Sequence, residues 1–240
     1  MKSSHNKYSP RNASVAPPAT DSSAPRGMGV AAKRSWAISN SSAHLEAIRH
    51  YERGITSLPE GPARDRREIE LELARGLSLF TAEGFASIKA AEAYTRARKL
   101  AEHRGDSRQR FMAVYGLWQS ANGAGMIREC RRLSDGLLQL TAGKADEGLH
   151  LQARHSAWAT AMFAGEPAAA REHSDAGRRL YDPERHRFHH QHYGGHDPGV
   201  CASSIGALVY WLLGYPEKGL TIGNEALALA NASLTRSVLH

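Results

Sequence analysis

Cysteine is scarce in this chain of 240 residues. There are two, Cys130 and Cys201, with no CxxC pair, so no disulfide framework is written here and a reducing cytosol is the expected compartment. Aromatic residues make up only 7%. Strand-like runs of Val, Ile and Thr are nearly missing, which argues against a β-rich fold. Long apolar runs are missing too. The longest, IGALVYWLL over Ile205–Leu213, has nine residues, and a membrane-crossing helix needs about 20. The opening MKSSHNKYSP has no apolar core of the kind a secretory signal carries. The expectation is a soluble, cytoplasmic protein with no membrane partner.

Basic excess is also absent where a nucleic-acid surface would need it. The net charge is +7. Residues 1–42 hold six Lys/Arg against the single acid Asp21, which leaves only +2 for the other 198 residues. A nearly neutral folded part does not suit phosphate binding, so no nucleic acid is expected. A nucleotide loop is missing as well. Gly27-Met-Gly-Val-Ala-Ala-Lys33-Arg34 has Ala32 where G-x-x-x-x-G-K-[ST] needs its second glycine, and Arg34 where it needs a hydroxyl.

What is present is helix. Residues 1–42, with ten serines and four prolines, read as a disordered basic tail. From residue 43 onward, apolar residues recur at three- and four-residue steps, as in Leu45, Ile48, Tyr51, Ile55 and Leu58. Helical text follows at 67–80, 86–103, 107–121, 126–141, 147–163, 167–180, 199–213 and 216–230, with a last start at Ser233. Short breakers such as Asn122-Gly123, Gly143, Gly165-Glu-Pro167 and Gly214-Tyr-Pro216 separate the segments. Helices joined by short loops imply antiparallel hairpins.

The text also repeats. Ala47-x3-Tyr51-x2-Gly54-x4-Pro59 has the spacing of the second helix of a tetratricopeptide repeat. A small residue admits the partner helix, an aromatic fills the gap beside it, and proline closes the helix. Looser copies begin at Ala90, Cys130, Ala169 and Gly219. The expected fold is all-α: a tetratricopeptide-like superhelical array of antiparallel helix pairs over 43–240, about five units, in which stacking makes the core continuous.

Several longer stretches, RREIELELARGLSLFTAEGFAS (66–87), LYDPERHR (180–187), YGGHDPGVCA (193–202) and ALVYWLLGYPEKGL (207–220), carry a family resemblance. They are similar to the tetratricopeptide-like region towards the C-terminal end of large bacterial signalling proteins. Those proteins carry a class III nucleotidyl cyclase domain or a regulator domain, followed by an AAA-type ATPase. The resemblance implies a helical array serving protein interaction or regulation, with an ATPase or cyclase domain as a partner. The cyclase carboxylates and phosphate loop of such proteins are not in this chain, so no enzymatic activity is carried over. The chain stops at Leu239-His240 in what reads as the start of a helix, so the expectation is a fragment or truncated relative.

Site candidates follow. Trp118, Trp158 and Trp211 fall on first helices of their units, where core or groove lining is the default; with Tyr115 they are the residues expected in a concave groove for a protein or peptide. The segment YDPERHRFHHQHYGGHDPGVC (181–201) is a long connection rich in histidine. Within the resemblance, His186, Arg187, Tyr193 and Asp197 match the pattern, whereas His189, His190 and His192 do not and read as surface variation. Asp182 and Asp197 read as caps. The metal alternative for this loop is His186, His192 and His196, read as a metal- or small-ligand-responsive sensor; the main reading has no metal and no cofactor. Glu68, Glu70 and Glu72 read as a solvated face. Cys130 sits between a reactive thiol lowered by arginines and a buried structural thiol at the repeat's small-residue position.

Overall fold

A computed structural model describes residues 30–61, 63–143, 145–186, 188–193 and 195–238; side chains are described within 42–232, His190 excepted. The described residues form ten helices and no strand: α1 (Val30–Thr56), α2 (Arg64–Glu83), α3 (Ile88–Arg104), α4 (Ser107–Gly123), α5 (Ile127–Thr141), α6 (Glu147–Phe163), α7 (Pro167–Leu180), the single turn α8 (His189–His192), α9 (Pro198–Leu212) and α10 (Pro216–Val238).

The long helices pack in chain order, each on the next, with α7 meeting α9 directly. A second set of contacts joins α2 to α4, α4 to α6 and α6 to α9. These are the first helices of successive hairpins, so they stack along one side as the inner layer of the array. The fold is the all-α repeat array expected.

Local chemistry explains the punctuation. Asp106 accepts from Gln109 N at 2.7 Å while the Gln109 side chain accepts from Asp106 N, a reciprocal cap on α4. Asp146 caps α6, Ser87 caps α3, and proline fills the first turn of α7 and α9. The turns inside three hairpins share one device. Gly125, Gly165 and Gly214 take φ of 69°, 75° and 86°. The next residue's N–H then reaches back to the carbonyl of Ala121, Ala161 or Tyr210 at 2.9 Å. Only glycine enters that left-handed conformation without strain, and the bond satisfies a carbonyl the helix end would orphan. In the first of these turns the working glycine is Gly125; Gly123 of the expected Asn122-Gly123 breaker still belongs to α4.

Packing sets the register of the repeat more sharply than the sequence pattern did. Ala90, Cys130 and Ala170 are fully buried, each starting the same triplet: Tyr94 and Ala97, Ser134 and Leu137, Ser174 and Gly177. The copy expected at Ala169, His173 and Ala176 is one residue out, because those side chains are only half-buried. Gly177 is required there: a Cβ would sit 2.2 Å from the Trp158 ring. Cys130 is the buried structural thiol of the two readings, with burial raising its pKa.

Three expectations are corrected. Helix α1 begins at Val30, so residues 30–42 are not part of an irregular tail; Ala31, Ala32 and Ala37 favour helix strongly. The start at Ser233 is the continuation of α10. Glu68 and Glu72 are buried, and Glu70 alone faces solvent. Glu68 accepts from Arg96 Nε at 2.6 Å across to α3, and Glu72 is held by Arg75 at 2.8 Å. The remainder of the tail reading, and the start of the Gly27–Arg34 segment, lie outside the described residues.

Candidate functional site

The long connection between α7 and α9 folds back over the inner side of α4 and α6. Its own turns organise it. Asp182 Oδ1 accepts from the N–H of Glu184 and Arg185 at 2.9 and 3.0 Å, which holds that carboxyl below its usual pKa. The Asp182 N–H donates to His186 Nδ1 at 3.0 Å, so the proton of neutral His186 sits on Nε2. At the far end Asp197 Oδ1 accepts from Gly199 N and Val200 N at 2.8 and 3.0 Å, and its Oδ2 accepts from the Tyr181 hydroxyl at 2.7 Å. The two aspartates are caps, as their positions beside Pro183 and Pro198 led one to expect.

What this segment covers changes the reading of the groove. Tyr193 is buried with its ring edge-on to Tyr115 at 5.2 Å and Phe111 at 6.5 Å. Tyr115 is 1% exposed, Trp118 3% and Trp158 0%. These three lie on the inner layer, but they form its core and are not an open lining. Tyr193, from the chain's own connection, covers the Tyr115 and Phe111 rings. Trp211, at 61% exposed, is the one of the four open to a partner. Arg187 lies outside the described residues.

Beneath the loop is a polar cluster inside the aromatic core. His155, on α6, is buried and stacks on Trp158 at 4.9 Å. Its Nδ1 lies 2.9 Å from the Tyr115 hydroxyl and 3.2 Å from Gln152 Oε1. The Gln152 amide nitrogen donates to His189 Nδ1 at 2.9 Å. With the amide so oriented its oxygen accepts from His155, which places the His155 proton on Nδ1 and leaves Nε2 a bare lone pair. That lone pair faces His196 Nε2 at 3.2 Å and Cys201 Sγ at 3.5 Å. Burial, and then the neighbouring His196, hold the His155 pKa well below its usual value. Burial pushes the Cys201 thiol up to about 11, with the Trp158 N–H pulling against it. Trp118 Nε1–H donates to Thr160 Oγ1 at 2.9 Å and closes the cluster.

The structure therefore sorts the histidines differently from the sequence. His186, His192 and His196 do not converge as one donor set; among the described residues the group that converges is His155, His196 and Cys201. His189 is not surface variation. It is half-buried, bonded to Gln152 and edge-on to His186 at 4.8 Å. Sequence reasoning missed His155 because it sits in ordinary helical text, HLQARHSAWAT, and its partners lie 41 and 46 residues away. The spacing of Gln152 and His155, one helical turn apart, was the only local sign.

The second feature, this one exposed, is the last hairpin. Helix α9, PGVCASSIGALVYWL, has no charged residue in 15. Leu208, Trp211 and Leu212 on it, Tyr215 in the turn and Leu220 and Leu227 on α10 are all exposed. The shallow cleft beside it, between α7 and α9, is polar and internally paired: the Tyr210 hydroxyl donates to Asp175, and Lys218 lies over the Tyr210 ring. No helix among the described residues is long and apolar enough to cross a membrane. Comparisons with protein-family models, with curated proteins and with solved structures find no match for this chain.

Proposed function

We propose that this chain is a non-enzymatic protein-interaction or regulatory module, and that its docking face is the last hairpin. The observation that carries this reading is the uncharged helix α9, with Leu208, Trp211 and Leu212 held out to solvent. A solvent-facing helix normally carries a charged stripe, and an apolar patch without one is characteristic of a contact surface. The exposed Trp211 and Tyr215 within it suit a binding anchor. Each upstream hairpin covers its predecessor, so a partner presenting a helical pair would meet this face in the same geometry. An ATPase or cyclase domain, the partner class that the sequence resemblance implies, is the first to test.

The experiment compares the chain with a Leu208→Ser/Trp211→Ala variant. Purified ATPase and cyclase domains from the same source would be titrated against both. Binding to the parent that weakens at least tenfold in the variant, with the thermal midpoint unchanged, supports the reading. Equal binding by both, or none by either, sinks this face as the docking site. Sedimentation of the parent alone separates a partner from a second copy of the chain.

A further inference from the structure

We infer that His155, His196 and Cys201 form a mononuclear site for a borderline-soft divalent cation, of which Zn(II) is the type, and that the bound ion pins the 181–197 connection to the array. The geometry of the donors carries this. Zinc bonds of about 2.0–2.1 Å to imidazole and about 2.3 Å to thiolate imply tetrahedral edges of ~3.3 Å between two nitrogens and ~3.6 Å between nitrogen and sulfur. His155 Nε2 lies 3.2 Å from His196 Nε2 and 3.5 Å from Cys201 Sγ. All three donor atoms lie within 4.8 Å of one another, so a small approach of His196 and Cys201 completes the face. Two nitrogens and one sulfur match zinc's preference, and hard oxygen-seeking cations are disfavoured.

The surroundings fit a metal centre as well. A ligating imidazole usually has its other nitrogen fixed by an oxygen acceptor; here Gln152 Oε1 and the Tyr115 hydroxyl oxygen accept from Nδ1–H and aim Nε2 at the site. Trp158 is fully buried, and its Nε1 has no hydrogen-bond partner among the described residues. The carboxylate nearest in sequence, Asp197, is already committed to the α9 cap and to Tyr181. Three protein ligands leave one position for water or an outside donor.

The consequence follows from where the ligands come from. His155 is on α6, His196 on the connection and Cys201 on the first turn of α9. As the ion binds, the Cys201 S–H proton leaves to solvent and a metal–sulfur bond forms. An ion held by three separate elements binds the folded chain and not the unfolded one, so it stabilises the loop-covered state. The inference stands independently of the docking face on α9–α10.

The test uses the full chain, stripped with chelator and desalted. Zn(II) is titrated in competition with a chromophoric chelator, and Co(II) is added to a second sample as a spectroscopic probe. The expected result is one tight equivalent of Zn(II), a raised thermal midpoint and a thiolate-to-Co(II) charge-transfer band. Cys201→Ala and His196→Ala should each weaken Zn(II) binding by about 100-fold or more, beyond the ~10–100-fold of an outer-shell change, whereas His192→Ala should keep it. The Co(II) spectrum of the parent needs no variant, so a misfolded mutant leaves the test intact. Absence of that band, or Zn(II) binding that survives both ligand substitutions, overturns the site and leaves a neutral hydrogen-bonded cluster in its place.

Discussion

His189 sits where a positive charge is expensive. Burial first, then the adjacent His186 and Arg108, lower its pKa to about 4, and His155 is shifted the same way by burial. Both are kept neutral in the fold, whereas an unfolded histidine titrates near 6.5. The sign is therefore fixed. Above about pH 6.5 both states are neutral and the stability is whole. As pH falls from about 6.5 towards 4 the unfolded chain takes up protons that the folded one refuses, and stability is lost across that window. Urea midpoints measured on chelator-treated protein between pH 4 and 8 should fall on the acid side, and His189→Gln should flatten the fall. A curve of unchanged steepness in that variant would contradict the burial of a neutral His189. The same residues show what a sequence can hide. The side chains around His155 come from α4, α6, the connection and α9, and no spacing rule joins positions more than 40 apart. Tyr115, Trp118 and Trp158 were legible as inner-layer residues of first helices, but the choice between core and groove lining was not, because it rests on contacts distant in sequence, such as Tyr193 on Tyr115 and Gly177 under Trp158.

At the scale of the element, Asp197 sets the start of α9. It accepts two backbone N–H groups and the Tyr181 hydroxyl. Asp197→Ala should cost about 1–2 kcal/mol for the lost cap. It should cost more than Asp106→Ala, because the Tyr181 hydroxyl also loses its acceptor while its ring stays packed on Gly199. Equal losses for the two variants in chemical denaturation would show that the Tyr181 bond adds nothing. Boundaries of this kind were largely readable: Asp before Pro, Ser before a helix, glycine after one. The register of the α7 unit was not. Ala169 and Ala170 are the same residue type side by side, and only the approach of Trp158 to Gly177 selects the second. The solvated reading of Glu68 and Glu72 failed for a related reason, since their arginine partners do not advertise burial.

At the scale of the molecule, the apolar core is uneven. The largest buried cluster joins α4, α5, α6, the connection and α9, while α1–α3 share a smaller one with Ile48, Leu79, Phe80 and Tyr94. In a stacked array each hairpin depends on its neighbours, so opening begins where fewest partners hold a unit. Native-state hydrogen exchange should find the slowest amides in α4 and α6, with α1 and α10 exchanging at lower free energy. Uniform protection along the chain would mean that the array unfolds as one unit.

Composition and periodicity alone determined that this chain is helical, that its helices come in pairs and that the pairs repeat, because each of these is a property of neighbours within a few turns. The tertiary structure decided the rest. It folded a long connection across the inner layer, turned an expected groove into core, left Trp211 as the exposed one of the four groove candidates, and brought His155 to His196 and Cys201. Those outcomes depend on which surfaces meet after the hairpins stack, and contacts made at that distance leave no period in the sequence to read.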